Sequence, residues 1–290
     1  MADVKKILPE NVKGEFFVDS TCIDCDACRQ LAPEVFASSG SYSYVHSQPK
    51  DEITRKKAIY ALISCPVGAI GAKDKLNVSE IIDDFPIPIE DEVFYCGFNS
   101  DKSFGANSYF VKSPAGNWLI DSPRFSSHLL KKFKRLGGIK YIFLSHRDDV
   151  ADAESFAIHF GAKIIIHKRD SIAVRRAEIL IDGDSPVEVE ANFVVIPTPG
   201  HTAGHCVLLY RDKFLFAGDH LWWDRETKSL CASKSVCWYS WEKQIESIEK
   251  LLNFEFEWVL PGHGQMVKLS KDEMKKKLLL LVKKIGQAKL

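Results

Sequence analysis

Three cysteines at positions 22, 25 and 28, in the stretch CIDCDAC, and a fourth followed at once by proline in ISCPVGAI, Cys65, constrain this chain more than any other feature. Three thiolates so close in sequence can face one ion or cluster only if their loop curls around it, and the distant fourth must be brought back by the fold. Soft sulfur donors select iron–sulfur clusters or zinc. Structural zinc sites more often pair two separate C-x2-C knuckles, which makes zinc the weaker of the two readings here.

The chain has 290 residues, enough for one large and one small domain. A formal net charge of zero gives no global attraction to nucleic acid or to an acidic membrane, and neither is expected as a partner. No apolar run approaches the roughly 18–20 residues of a membrane span. The opening MADVKKILPENVKGEFF lacks the apolar core and cleavage site of a signal peptide. A reducing, cytoplasmic setting is therefore expected, with the cysteines as ligands or free thiols. Cys96, Cys206, Cys231 and Cys237 are scattered and read as free thiols.

The cysteine pattern resembles single-cluster bacterial-type ferredoxins, over about residues 14–74. Two-cluster relatives carry another Cys-Pro after the third cysteine, where this chain has Ala32 before Pro33. The resemblance implies one [4Fe–4S] cluster on Cys22, Cys25, Cys28 and Cys65. Asp24 and Asp26 beside the thiolates would lower its potential.

The first 80 residues are thus expected to form an iron–sulfur module. The proline- and acid-rich segment 81–92 reads as an extended connector, and residues 93–290 as the larger domain. There the pattern alternates. NSYFVKS and GNWLIDSP read as a hairpin, FSSHLLKKFKRLGG as a helix stopped by glycines, IKYIFLSH as a buried strand and DAESFAIHFGA as a helix. AKIIIH, NFVVIPTPG, CVLLYRDKFLFAGD and FEWVLPGHG read as further strands. The tail KDEMKKKLLLLVKKIGQAKL reads as a surface helix with residues 278–282 turned inward.

Just past four of those strands stand metal-ligand residue types: His146, Asp148, Asp149 and Asp152 in FLSHRDDVAD, His201 and His205 in PTPGHTAGH, Asp219 and His220 in LFAGDH, and His263 in LPGHG. One histidine after a strand is ordinary, but four such ends in order are hard to assign to chance. Imidazole and carboxylate at strand ends can converge on one site at the mouth of a fold. These motifs resemble the metallo-β-lactamase fold over about residues 93–290. The resemblance implies an αββα sandwich behind the ferredoxin-like module, an α+β or α/β chain overall, with a metal site, often dinuclear, at one edge. It matches His146 to the first histidine of the His-x-His-x-Asp-His loop, His201 to the middle histidine, Asp219 to the bridging aspartate and His263 to the closing histidine.

The loop departs from that pattern. Asp148 stands where the second histidine belongs, and Val150 and Ala151 replace the Asp-His pair. Asp152 or Asp149 could supply the missing carboxylate. In another register His146 is the second histidine, Asp148 the aspartate and Asp149 the last ligand. The outcomes are a carboxylate-rich dinuclear site on His146, Asp148, Asp152, His201, Asp219 and His263, a single metal, or a degenerate site. Carboxylates favour iron or manganese over zinc. Flavodiiron proteins, which share the fold, also carry a carboxylate at the second-histidine position, but no flavodoxin segment is present here. His205 and His220 read as supports rather than ligands. The aromatic stretch from Trp222 to Trp241 reads as pocket lining or core.

Three functions follow as expectations. In the first, the cluster takes electrons from a soluble donor and feeds a (di)iron site, with Asp219 central, that reduces or activates a small molecule such as dioxygen. In the second, a metal-bound hydroxide hydrolyses an ester, amide or phosphoryl substrate, and the cluster is structural or redox-sensing. In the third, a ferredoxin is tethered to a scaffold whose metal site is degenerate.

Overall fold

The computed structural model describes residues 2–74 and 76–287. In the small unit, strand Phe16–Val18 pairs antiparallel with Ile70–Ala72, and Phe36–Ser38 with Ser43–Val45. Helix Glu52–Ser64 starts at Asp51, whose carboxylate accepts the Thr54 amide in a capping box. It ends at Cys65, whose extended backbone is what a following proline demands.

The large unit stacks two sheets. The first runs, in spatial order, Ile179–Ile181, Lys163–His167, Tyr141–Phe143, Trp118–Ile120, Tyr109–Val111, Val93–Tyr95 and Ile87–Glu90. The second runs Val187–Glu190, Phe193–Pro197, Cys206–Tyr210, Phe214–Gly218, Trp258–Pro261 and Val267–Lys268. Alternation along the strands decides which core each side chain joins. Cys206, Leu208, Tyr210, Phe214 and Phe216 face the other sheet, where Phe193 stacks on Trp118 at 4.2 Å. Val207, Leu209, Leu215 and Ala217 face the helices Trp241–Lys250 and Lys271–Gln287. Strands buried on both faces explain the continuous apolar runs in the sequence. Helices Ser127–Arg135 and Ala153–Phe160 cover the first sheet, with Phe133 stacked on Phe110 at 4.8 Å. The result is the expected αββα sandwich behind a small iron–sulfur-type unit.

Two expectations shift. The connector is not simply extended: it holds a 3-10 turn at Ile82–Asp84, and Ile87–Glu90 pairs as the edge strand of the first sheet. In the tail helix Met274, Leu278, Leu281 and Ile285 are buried, at helical spacing, while Leu279 and Leu280 are exposed. A run of consecutive leucines cannot face one way on a helix of 3.6 residues per turn. No helix among the described residues is long and apolar enough to cross a membrane.

The two units share one continuous core. Phe85 is fully buried and meets Tyr60 of the small unit and Phe98 of the large one, each edge-on at 5.4 Å. Asn107 donates to Gln30 across the boundary at 3.1 Å, and Gly105 lies against Cys25.

Candidate metal and cluster sites

Cys22, Cys25, Cys28 and Cys65 converge on a small cavity whose other walls are Val18, Ile23, Ala27, Ser43, Val67, Ala69 and Ile70. Asp24 and Asp26 adopt left-handed backbone, which curls the loop so that its cysteines face inward. The amides of Ser43 and Ala69 donate to the sulfurs of Cys22 and Cys65 at 3.4 and 3.2 Å. Burial pushes the Cys25 thiol up to about 12, and Cys28 upward too. Buried thiolates aimed at one cavity need a cationic partner there, so the cage fits a cluster. The expected influence of Asp24 and Asp26 is reduced, because Arg29 pairs with them at 2.5 and 2.6 Å.

The second site is assembled from strand ends. Tyr141–Phe143 leads to His146, and the 3-10 turn Arg147–Asp149 turns Asp148 and Asp149 to the same side. His201, Asp219 and His263 follow Phe193–Pro197, Phe214–Gly218 and Trp258–Pro261. His146 Nε2 lies 4.0 Å from Asp148, 4.0 Å from Asp149 and 3.9 Å from Asp219. His201 Nε2 lies 3.6 Å from Asp148 and 3.8 Å from Asp219. His146, Asp148 and His201 form one group able to hold an ion, and His146, Asp149 and Asp219 another. The Nε2 atoms of His146, His201 and His263 and Oδ2 of Asp149 are buried with no hydrogen-bond partner. Such atoms are costly unless something binds them, so the donor set fits metal ions.

Close approach of the chain makes this packing feasible. A Cβ on Gly262 would sit 2.8 Å from both Asp149 Oδ2 and Asp219 Oδ1, so only glycine lets the backbone pass beneath the carboxylates. Each presented histidine is held from behind. Ser145 Oγ, which donates to Asp121, lies 2.9 Å from His146 Nδ1, and the carbonyl of Val236 accepts from His201 Nδ1 at 2.6 Å. His263 directs Nδ1 to Asp219 at 2.9 Å and lies outside both three-residue groups.

Asp152 corrects one expectation. It is not brought to the ion-binding residues: its carboxylate accepts from Lys102 and the Phe125 amide instead. Ala151 has a left-handed φ of 36°, and the chain reverses before Asp152 can reach the ion-binding side. Asp149, one turn earlier, is the buried carboxylate at the site. His205 and His220 are buried behind it, and His205 lies 2.9 Å from the Thr198 hydroxyl. Neither belongs to an ion-binding group among the described residues. Asp121 is visible in the sequence only as the end of the Leu-Ile-Asp strand in GNWLIDSP, which resembles the early strand of the metallo-β-lactamase fold, and Val236 and Gly262 are not singled out; only the glycine-rich strand ends hint at tight approach.

The charges interlock. Burial alone would raise Asp219, but the charge and hydrogen bond of His263, with His146 and His201, hold it well below the carboxylate range. Burial opposes protonation of His263, yet Asp219 pushes it up to about 10. Burial pushes His146 down to about 4 and Asp149 well up. Asp148 is held down, chiefly by His201.

Residues 18–72 match the family described as the 4Fe-4S single cluster domain of Ferredoxin I, and residues 89–280 match the metallo-beta-lactamase superfamily. A hydroxyacylglutathione hydrolase of Rhizobium etli is 35% identical over 140 residues, covering 46% of this chain and 52% of that protein. A beta-lactamase-like protein 2 homolog of Drosophila melanogaster is 30% identical over 77 residues, 27% of this chain and 23% of that protein. The chain spans about half the length of these curated hydroxyacylglutathione hydrolases. Among solved structures, the DIM-1 metallo-beta-lactamase superposes with a TM-score of 0.50 at 14% identity, covering 68% of this chain and 95% of that one, which speaks to the fold alone.

Proposed function

The chain belongs to the metallo-β-lactamase superfamily, and on that premise we propose that it is a metal-dependent oxidoreductase whose two units serve one reaction. The observation that carries this reading is a single cleft of about 1020 Å³ lined both by Cys25 of the cluster loop and by Asp148, Asp149, His201, Asp219 and His263. Hydrolysis moves no electrons and would leave that adjacency without a purpose. A cluster on the four cysteines would supply single electrons, and metal ions at the second site would supply Lewis-acid and redox chemistry toward a small molecule such as dioxygen.

The protein's own part is placement. His146, Asp148 and His201 would hold one ion, and Asp149 and Asp219 with His146 a second. Three carboxylates among the donors suit iron, with manganese or zinc as alternatives. Phe104 and Gly105 stand between the two sites. Gly105 lies so close to Cys25 that an added Cβ would stand 2.9 Å from its sulfur. The neighbouring Phe104 ring stands 6.3 Å from the His263 ring, and His263 bonds Asp219. His263, whose Nδ1 lies 2.9 Å from Asp219, holds that carboxylate in place at the site. An external electron donor would meet the small unit.

The test uses anaerobically reduced protein loaded at the second site with iron or with zinc, mixed with air-saturated buffer. Cluster reoxidation is expected to be about tenfold or more faster with iron, the scale on which a directly coupled acceptor should outrun solution oxidation. Equal rates would sink the proposal. A second reading, hydrolysis, is favoured by the 35% identity to a hydroxyacylglutathione hydrolase. Zinc-dependent thioester cleavage that ignores the redox state would select it.

A further inference from the structure

The cleft is far larger than dioxygen requires. Its volume of about 1020 Å³ lies at the upper end of what organic ligands occupy. Outside the metal ligands its wall carries three aromatic rings, Phe104, Trp222 and Trp238, beside charged residues that include Asp24, Asp26, Lys102 and Arg147. Phe104 and Trp238 are 54% and 62% exposed, a large apolar area left open to water beside a charged site.

Both residues are anchored through their backbone. Phe104 adopts a left-handed backbone with φ of 50°, unfavourable for an aromatic residue, and its ring faces His263 at 6.3 Å. Trp238 is anchored by its amide to the carbonyl of His201, and its ring stands edge-on to that histidine at 6.0 Å. The exposed aromatic planes thus stand beside two different histidines of the site. Trp222 lies on the backbone of Gly264, where a Cβ would come within 2.6 Å of the indole.

Charge narrows the ligand. Asp24 and Asp26 on the cleft wall are tied to Arg29, and Asp148, Asp149 and Asp219 are the ion-binding carboxylates. Lys102 is paired with Asp152. Arg147, at the cleft and nearly half exposed, touches Asp148 only at 3.7 Å, so its planar fork can turn to an incoming carboxylate.

We propose that the cleft takes a planar, polycyclic aromatic carboxylate as organic substrate, with its rings against Phe104 and Trp238 and its acid group at Arg147. This rests on the reading of the cleft as the reaction site, but its test needs no turnover. Holoprotein is titrated, by calorimetry, with pyrene-1-carboxylate, pyrene-1-methanol and adamantane-1-carboxylate. Saturable one-to-one binding of the planar acid is expected, about tenfold tighter than either the planar alcohol or the globular acid. Trp238→Leu, which keeps apolar bulk but removes the ring, and Phe104→Leu should each weaken it about fivefold. Arg147→Gln should abolish the preference for acid over alcohol and leave the alcohol's affinity unchanged.

Cluster absorbance and circular dichroism confirm that each variant is folded. Failure of the planar acid to saturate, equal affinity for the adamantane acid, or unchanged affinity in folded Trp238→Leu and Phe104→Leu proteins would overturn the inference. Selective binding without electron-driven turnover would preserve it and remove the oxidoreductase reading. Cluster-driven dioxygen consumption without such binding would do the reverse.

Discussion

The two metal-binding regions are built on opposite plans. In the small unit three of the four cysteines come from one loop of seven residues, and the fourth sits at the end of one helix. In the large unit the ion-binding residues come from the ends of separate strands in two different sheets. The first kind of site depends on local backbone, on two left-handed aspartates and a proline. The second exists only when both sheets are packed in register. A local site tolerates change elsewhere in the chain, whereas a convergent one inherits every error in the core.

The largest test of that contrast is Asp219→Ala. Asp219 contacts His146, His201 and His263, so its loss should empty the second site and cut cluster-driven turnover by about 10³-fold, several kcal/mol of lost metal assistance. The visible cluster band should survive. Loss of cluster and ions together would show that the two sites do not form independently.

Next in size is a pair of substitutions in the variant loop. Asp149→Asn should weaken binding of the second ion by about 10–100-fold, read by metal titration, whereas Asp152→Asn should change it little. If Asp152→Asn is the damaging one, the loop is rearranged when ions bind and the assignment of Asp149 is wrong.

At the boundary between the regions, Gly105→Val would place a Cβ 2.7 Å from that of Cys25, at a φ of +85°. A cost of about 1–3 kcal/mol is expected from the backbone alone, with slower electron transfer between the sites. Unchanged melting temperature and unchanged reoxidation kinetics would remove this contact as the link.

The smallest effect is a pH dependence. In protein stripped of second-site ions but retaining its cluster, His263 binds its proton up to about pH 10, against an ordinary value of 6.5. The folded state therefore holds more protons than the unfolded one between those values, and stability should fall as pH rises through that window. Asp149, raised by burial, acts in the same direction. Calorimetric melting at pH 7 and pH 9.5 measures it, and reloading with metal, which neutralises the carboxylates, should flatten the slope. A melting temperature that rises with pH would refute the ion pair.

Much of this molecule is legible in its sequence. The cysteine spacing, the strand-like runs ending in His or Asp, and the glycines after them are statements about local backbone and side-chain chemistry, and such signals lie along the chain. His146, His201 and Asp219 were legible because each follows a buried strand. Asp152 misled because sequence distance says nothing about which way a left-handed turn at Ala151 sends the next side chain.

The sequence by itself determined the ligand types, the two-part architecture and the strands that carry the ions, because periodicity and donor chemistry are properties of short segments. Only the tertiary structure decided that Asp149 rather than Asp152 turns inward, that Ser145 and the Val236 carbonyl aim the histidines, and that Cys25 shares a cleft with Asp219. Those facts are distances between segments far apart in the chain, set by the packing of two sheets and a small unit through one continuous core.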